Sequence, residues 1–266
     1  MEKLRKATGN ATQKKTMFKK IALGIASIGL IAGSLQAANL ASDNASNSPY
    51  QPGNNWPTGS NGGTGFGPWS FAFTGAGDRY IGLSGVGQDP SFGIFAGNTT
   101  DTSSADRSFT GGALTAGQTF SLQLGASGVS GGGVVGLNLL DGTTPVFTFK
   151  FTGGGTVWAL NDGGTDFDTN IPFSANTGIS LAFTYNGGQS YTINISQGPN
   201  TFSGPNFTAN STISNITGFR MFSNLQGVDE NLGFNNLAVV PEPTTLSLLA
   251  GPALLGAWFF IRRRRA

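Results

Sequence analysis

The chain contains no cysteine and no histidine, and only 11% of its 266 residues are charged. Without cysteine there is no disulfide scaffold, thiolate metal site, Fe–S cluster or thiol nucleophile. Without histidine, Ser-His-Asp catalysis and imidazole ligation of zinc or haem are excluded. What is abundant is glycine, with 42 residues, and phenylalanine, with 21. The length is ample for one core, or two.

The formal net charge of +2 hides a sharp segregation. Lys3, Arg5, Lys6, Lys14, Lys15, Lys19 and Lys20 precede Ile21, and Arg262, Arg263, Arg264 and Arg265 close the chain. Between Asn39 and Val240 only Arg79, Arg107, Lys150 and Arg220 stand against eleven carboxylates, a net of −7. A body of that sign repels phosphate backbones, so no nucleic-acid partner is expected. The basic residues belong to the ends.

Lys19-Lys20 followed by IALGIASIGLIAGSLQAA has the layout of a secretory signal peptide, with cleavage expected near Ala37 or Ala38 and Met17 an alternative start to Met1. An uncleaved anchor is the competing reading, although the apolar run 21–32 falls short of the ~20 residues a span needs. At the other end residues 246–261 are apolar except for Ser247. Sixteen residues at 1.5 Å rise make about 24 Å of helix, enough for a thin crossing, and Pro252 is tolerable in a membrane span. The four arginines then act as a stop-transfer signal and place the C-terminus in the cytoplasm. A buried core helix is the alternative.

Val240-Pro241-Glu242-Pro243-Thr244-Thr245-Leu246, the apolar stretch and the terminal arginines together resemble the PEP-CTERM sorting signal of Gram-negative bacteria. The resemblance covers about the last 27 residues. It implies export through the secretion translocon, a membrane-anchored precursor, recognition of Pro241, Glu242 and Pro243 by an exosortase-type membrane protease, and delivery to the cell surface or exopolysaccharide matrix. Two prolines bracketing a glutamate also make a stiff, extended segment suited to a protease groove.

The segments follow as 1–38 (extension and signal peptide), 39–68 (an Asn/Gly/Pro-rich arm without periodicity), 69–240 (body) and 241–266 (sorting signal). The body alternates. Phe120, Leu122 and Leu124 share one face of TFSLQL; Val135, Leu137 and Leu139 share one of VVGLNL; Phe147, Phe149 and Phe151 point inward from VFTFKF. ISLAFTY and YTINI repeat the pattern, and Asn186-Gly187-Gly188-Gln189 between them predicts a hairpin loop. Further strands are expected at 69–74, 91–95, 107–110, 157–161, 216–222 and 232–239, the last with a bulge at Asn235-Asn236 where its parity shifts. Eleven or so short strands between Gly-rich turns predict an all-β fold, a two-sheet antiparallel sandwich of jelly-roll type. The strand pattern ending in Phe234-Asn235-Asn236-Leu237 is similar to concanavalin A-like lectin/glucanase sandwiches. Asp43-Asn44-Ala45, Gly62 to Trp69 and Ser91-Phe92-Gly93-Ile94-Phe95 also resemble the body shared by many exported PEP-CTERM proteins.

Candidate sites are few. Glycosidase chemistry needs paired carboxylates, and enzymes of the lectin/glucanase fold resemble one another in using two glutamates; the body has one, Glu230, so a non-enzyme is expected. Asp162, Asp166 and Asp168 cluster in NDGGTDFD, an oxygen-rich loop that is either a calcium site or a solvated hairpin tip. Trp56, Trp69, Trp158 and Tyr50 are candidates for stacking on sugar rings, with Trp56 in the polar arm the best placed for exposure. Gly131 to Gly133 and Gly153 to Gly155 lack the Lys-Ser/Thr of a phosphate loop and read as turns. Asn98, Asn206, Asn210 and Asn215 open Asn-x-Ser/Thr triplets. The sequence thus points to an exported surface or matrix protein with a structural or adhesive role; a non-catalytic carbohydrate-binding module is the alternative and a secreted glycoside hydrolase a third.

Overall fold

The computed structural model describes residues 39–50, 56–82, 86, 90–227 and 230–241. These residues form strands and turns without a helix, so among them nothing helical is long and apolar enough to cross a membrane. The expected signal helix and C-terminal helix lie outside the described residues.

The strands are β1 (Ala41–Asp43), β2 (Ser70–Phe73), β3 (Asp78–Gly82), β4 (Ser91–Phe95), β5 (Thr102–Ser108), β6 (Thr119–Ala126), β7 (Val134–Asp141), β8 (Thr144–Thr152), β9 (Val157–Asn161), β10 (Phe167–Pro172), β11 (Ile179–Gly187), β12 (Ser190–Gln197), β13 (Asn200–Thr208), β14 (Gly218–Asn224) and β15 (Asn231–Val240). They make two antiparallel sheets. The first runs β13-β12-β11-β6-β15-β4-β3, with β1 added to β15, and the second runs β10-β9-β8-β7-β14-β5-β2. Alternation explains the layering: Phe120, Leu122 and Leu124 from one sheet and Leu137, Leu139, Phe147 and Phe149 from the other are all buried between the two. The sandwich expected from the sequence is the observed architecture.

Local chemistry sets the details. β11 and β12 pair from Ser180↔Ser196 to Gly187↔Ser190, and Gly187 and Gly188 take the positive φ that closes this hairpin. In β15 the register to β6 shifts between Asn235 and Ala238, and Asn236 sits at φ 52, so the bulge falls where the parity change placed it. Before the bulge β15 pairs with β4; after it β1 takes over that edge, with Ala41 opposite Val239 and Asp43 opposite Leu237.

The arm therefore belongs to the sandwich. It is fastened by a buried ion pair, Arg107 to Asp43, both side chains fully enclosed. Arg107 also donates to Gly67 O (2.8 Å) and to Asn61 Oδ1, and its guanidinium lies over the rings of Phe66 and Trp69. Asp43 accepts from the Tyr50 hydroxyl (2.5 Å), the Asn44 amide and Asn47 Nδ2. Every polar atom of this charge pair is engaged, which is the condition under which burying it is tolerable. Burial, then the hydrogen bond to Asp43, pushes the Tyr50 phenol up to about 12.

Candidate functional site: a charge-free polar groove

The structure removes the aromatic candidates from the surface. Trp56 is fully buried, edge-on to Trp69 (4.9 Å) and Phe71 (4.8 Å), and fills the end of the core under the arm. The arm's polar composition suggested exposure, but Asn47 and Asn61 are spent on the Asp43–Arg107 network while its tryptophan goes inward. Trp158 is buried too, stacked on Phe149 at 4.9 Å, and Tyr50 and Trp69 are core residues. None of these rings offers a face to a sugar.

The three aspartates are also separated in role. Asp162 is buried and accepts from Tyr191 Oη (3.0 Å) and Asn210 Nδ2 (2.9 Å), tying the β9–β10 turn to β12; burial and this carboxylate push the Tyr191 phenol up. Asp166 pairs with Lys150 Nζ at 2.7 Å and accepts from Asn161. Partial burial works against the charge of Asp166, but Lys150 and Asn161 outweigh it and hold the carboxyl below its usual value. Asp168 is exposed on β10. No group of three metal-ligating side chains converges among the described residues, so these three carboxylates are not brought together. The triplet asparagines Asn98, Asn210 and Asn215 donate to Asp101, Asp162 and Asp141, so their amides have structural work. Glu230 accepts from Ser130 Oγ and the Gly227 amide (2.6 Å). Pro241 ends the described chain directly after β15; Glu242, Pro243 and Arg262 to Arg265 lie outside the described residues.

What the sequence reading missed is the outward half of the first sheet. An open groove of about 550 Å³ crosses β6, β11, β12 and β13. Register lays its floor in two rows across the strands: Gln123, Ser180, Ser196 and Thr201 in one, Ser121, Ala182, Asn194 and Ser203 in the other. Asn236, at the bulge of β15, closes one end. None of β4, β6, β11, β12, β13 and β15 carries Asp, Glu, Lys or Arg. The hydroxyls of Ser121, Ser180, Ser196, Thr201 and Ser203 and the amide of Asn194 make no side-chain hydrogen bond to another described residue. Farther along the same face polar side chains do pair, as Thr119 does with Thr184 at 2.7 Å. The groove is thus a lattice of neutral donors and acceptors, one side chain per strand, at the inter-strand spacing of about 4.8 Å. The available signal was the Ser/Thr/Asn/Gln character of the outward positions in β6, β11 and β12, broken in the groove only by Ala182.

No family model and no curated protein sequence matches the chain. A solved structure shares its fold. A carbohydrate esterase of the Shiga toxin-encoding bacteriophage phi24B aligns over 77% of this chain and 99% of its own, with 14% identity and a TM-score of 0.51. A sialidase aligns over 65% of this chain with 8% identity and a TM-score of 0.48; the alignment spans only 17% of the sialidase. The galectin LEC-6 of Caenorhabditis elegans aligns over 55% of this chain and 94% of its own, at 16% identity and a TM-score of 0.38. The likeness to the esterase concerns the fold alone.

Proposed function

We propose that the body is a non-catalytic, lectin-like carbohydrate-binding module of concanavalin A-like type, and that it gives an exported surface or matrix protein its adhesive role. The observation that carries this reading is the groove, where the hydroxyls of Ser121, Ser180, Ser196, Thr201 and Ser203 and the amide of Asn194 have no side-chain partner among the described residues. Sugar hydroxyls both donate and accept, so a floor of Ser, Thr, Asn and Gln complements them without a charge to desolvate. The absence of ionisable side chains along the groove favours a neutral glycan over a uronate. The one body glutamate held in a loop, and the lack of any carboxylate in the groove, favour binding over hydrolysis. The PEP-CTERM resemblance supports delivery by way of the translocon and an exosortase-type protease, with exopolysaccharide of the producing cell as the partner.

Two experiments test this. The full-length chain is expected to be retained by neutral polysaccharides and not by alginate, and Ser180→Trp, which plants a ring on the floor, is expected to abolish retention. Unchanged binding by that variant would move the site elsewhere. For export, an internal tag found outside the cell without a C-terminal tag supports processing at 241–243; intact protein confined to the inner membrane refutes it.

A further inference from the structure

One side chain in the groove differs from the rest: its hydrogen-bonding sense is fixed. The backbone N–H of Ser46, which can only donate, gives its hydrogen to Asn44 Oδ1 at 2.9 Å, and the Ser46 hydroxyl donates to the same oxygen. That identifies the oxygen of the Asn44 amide and leaves Nδ2 to donate to Asn236 Oδ1. With its oxygen so assigned, Asn236 Nδ2 donates to Gln123 Oε1 at 2.9 Å. The relay ends at Gln123 Nε2, which has no described partner and belongs to a residue lining the groove. Serine and threonine hydroxyls rotate to suit a ligand, and Asn194 is free to flip. Gln123 cannot flip without placing its NH₂ against the NH₂ of Asn236. It turns both hydrogens of its NH₂ away from Asn236, while Oε1 is held by the Asn236 amide.

We infer that Gln123 is a specificity-determining donor, positioned by Asn44 and Asn236, and that it selects neutral sugars bearing an acyl carbonyl, as an acetamido or O-acetyl group. A hydroxyl meets such a donor with only its lone pairs and gains nothing from its own proton. A carbonyl oxygen is an acceptor alone and a stronger one. The methyl next to that carbonyl has a place to go: Ala182, the one apolar residue in the two rows, stands diagonally from Gln123, since Ser180 is opposite Gln123 and Ala182 is opposite Ser121. No cation in the groove would make up for desolvating a carboxylate, which leaves the uncharged acyl groups. The inference rests on the glycan-binding reading of the groove and adds the class of sugar.

Matched oligosaccharides test it. Chitotetraose and cellotetraose share linkage and length and differ at the 2-acetamido group; acetylated xylotetraose and its base-deacetylated form test the ester. The full-length chain is expected to bind each acylated partner at least tenfold more tightly. In Asn236→Asp the new carboxylate accepts from Asn44 and from Gln123 Nε2, which turns Gln123 so that Oε1 faces the groove. Aspartate tolerates the positive φ at this position, so the fold is kept, and an unchanged melting temperature verifies it. The preference for acylated sugars is expected to disappear or reverse in this variant, and Gln123→Glu is expected to lose chitotetraose while keeping cellotetraose. Equal affinity of the native chain for the matched sugars overturns the selectivity and leaves the glycan-binding reading intact. Persistence of the preference in both variants overturns the role of Gln123. Binding of none of the four sugars overturns both the inference and the reading beneath it.

Discussion

The two outer faces of the sandwich are built from the same strand grammar and spend their polar groups in opposite ways. On the second sheet a groove of about 520 Å³ lies over β14, β7 and β8, and its polar side chains are largely taken. Arg220 holds Asp106 through Nε and Nη2, and that carboxylate raises the affinity of the guanidinium for its proton. Lys150 holds Asp166, Thr148 donates to Asn138, and Thr102 pairs with Thr74. On the first sheet the groove floor holds almost nothing internally. Polar residues that stabilise a fold are found bonded to one another. A surface whose polar residues are left open has its hydrogen-bonding capacity available to something outside the chain.

The contrast yields predictions in descending order of effect. The buried clip is the extreme of internally spent polarity: Arg107→Ala strands Asp43 without its partner and should cost roughly 3–5 kcal/mol, read as a fall in the urea midpoint. Next, Asn194→Trp on the open floor should weaken neutral-glycan binding at least tenfold, about 1.4 kcal/mol or more, while Ser104→Trp on the opposite face leaves the titration unchanged; equal losses would erase the distinction between the faces. In stability the order inverts. Arg220→Ala, at a partly exposed bidentate pair, should lose about 0.5–1 kcal/mol after screening, whereas Ser196→Ala should stay within about 0.5 kcal/mol of the parent.

Titration separates them as well. A raised phenol is favoured neutral by the fold, so Tyr50 contributes stability that is complete below the unfolded tyrosine value near 10 and is lost as pH climbs toward its folded value of about 12; alkaline unfolding followed at the tyrosinate absorbance should begin in that window. Asp166 behaves oppositely. Its lowered folded value means a contribution present above the unfolded carboxylate value near 3.9 and lost as pH falls through the folded one, a small acid-side drift in thermal midpoint that Asp166→Asn removes. Glycan binding should stay flat from about pH 5 to 9, because no side chain on the groove floor titrates there.

Much of the fold was legible because burial leaves a period-two trace. β4 and β9 fall where the alternation and flanking turns put them, and the β15 bulge shows as a change of parity. Strands without that trace escaped. Of β5 only the end is expected, at 107–110; it begins Thr-Ser-Ser-Ala-Asp and turns inward Ser103, Ala105 and Arg107, the last of them partnered by Asp43 and Gly67 from far along the chain. β13, with Gly204-Pro205 in its middle, reads as a turn and is a strand because β12 pairs with it. β1 is three residues of an arm with no periodicity, and Trp56 reads as exposed for the same reason. The groove was hidden differently. An outward Ser, Asn or Gln looks the same in a sequence whether it faces solvent, a neighbour or a ligand; only the register shows which of them form rows and which are already paired.

The position of β15 has a consequence for how the molecule comes into being. It is the last of the described strands and an interior one in its sheet, flanked by β6 on one side and by β4 and β1 on the other, and the Asn44–Asn236 contact joins residues 192 positions apart. A polypeptide emerging amino end first holds two unjoined half-sheets of this layer with raw edges until β15 follows. The groove on this sheet likewise lacks Asn236 at its end, and Gln123 lacks the partner that orients it, until β15 is in place.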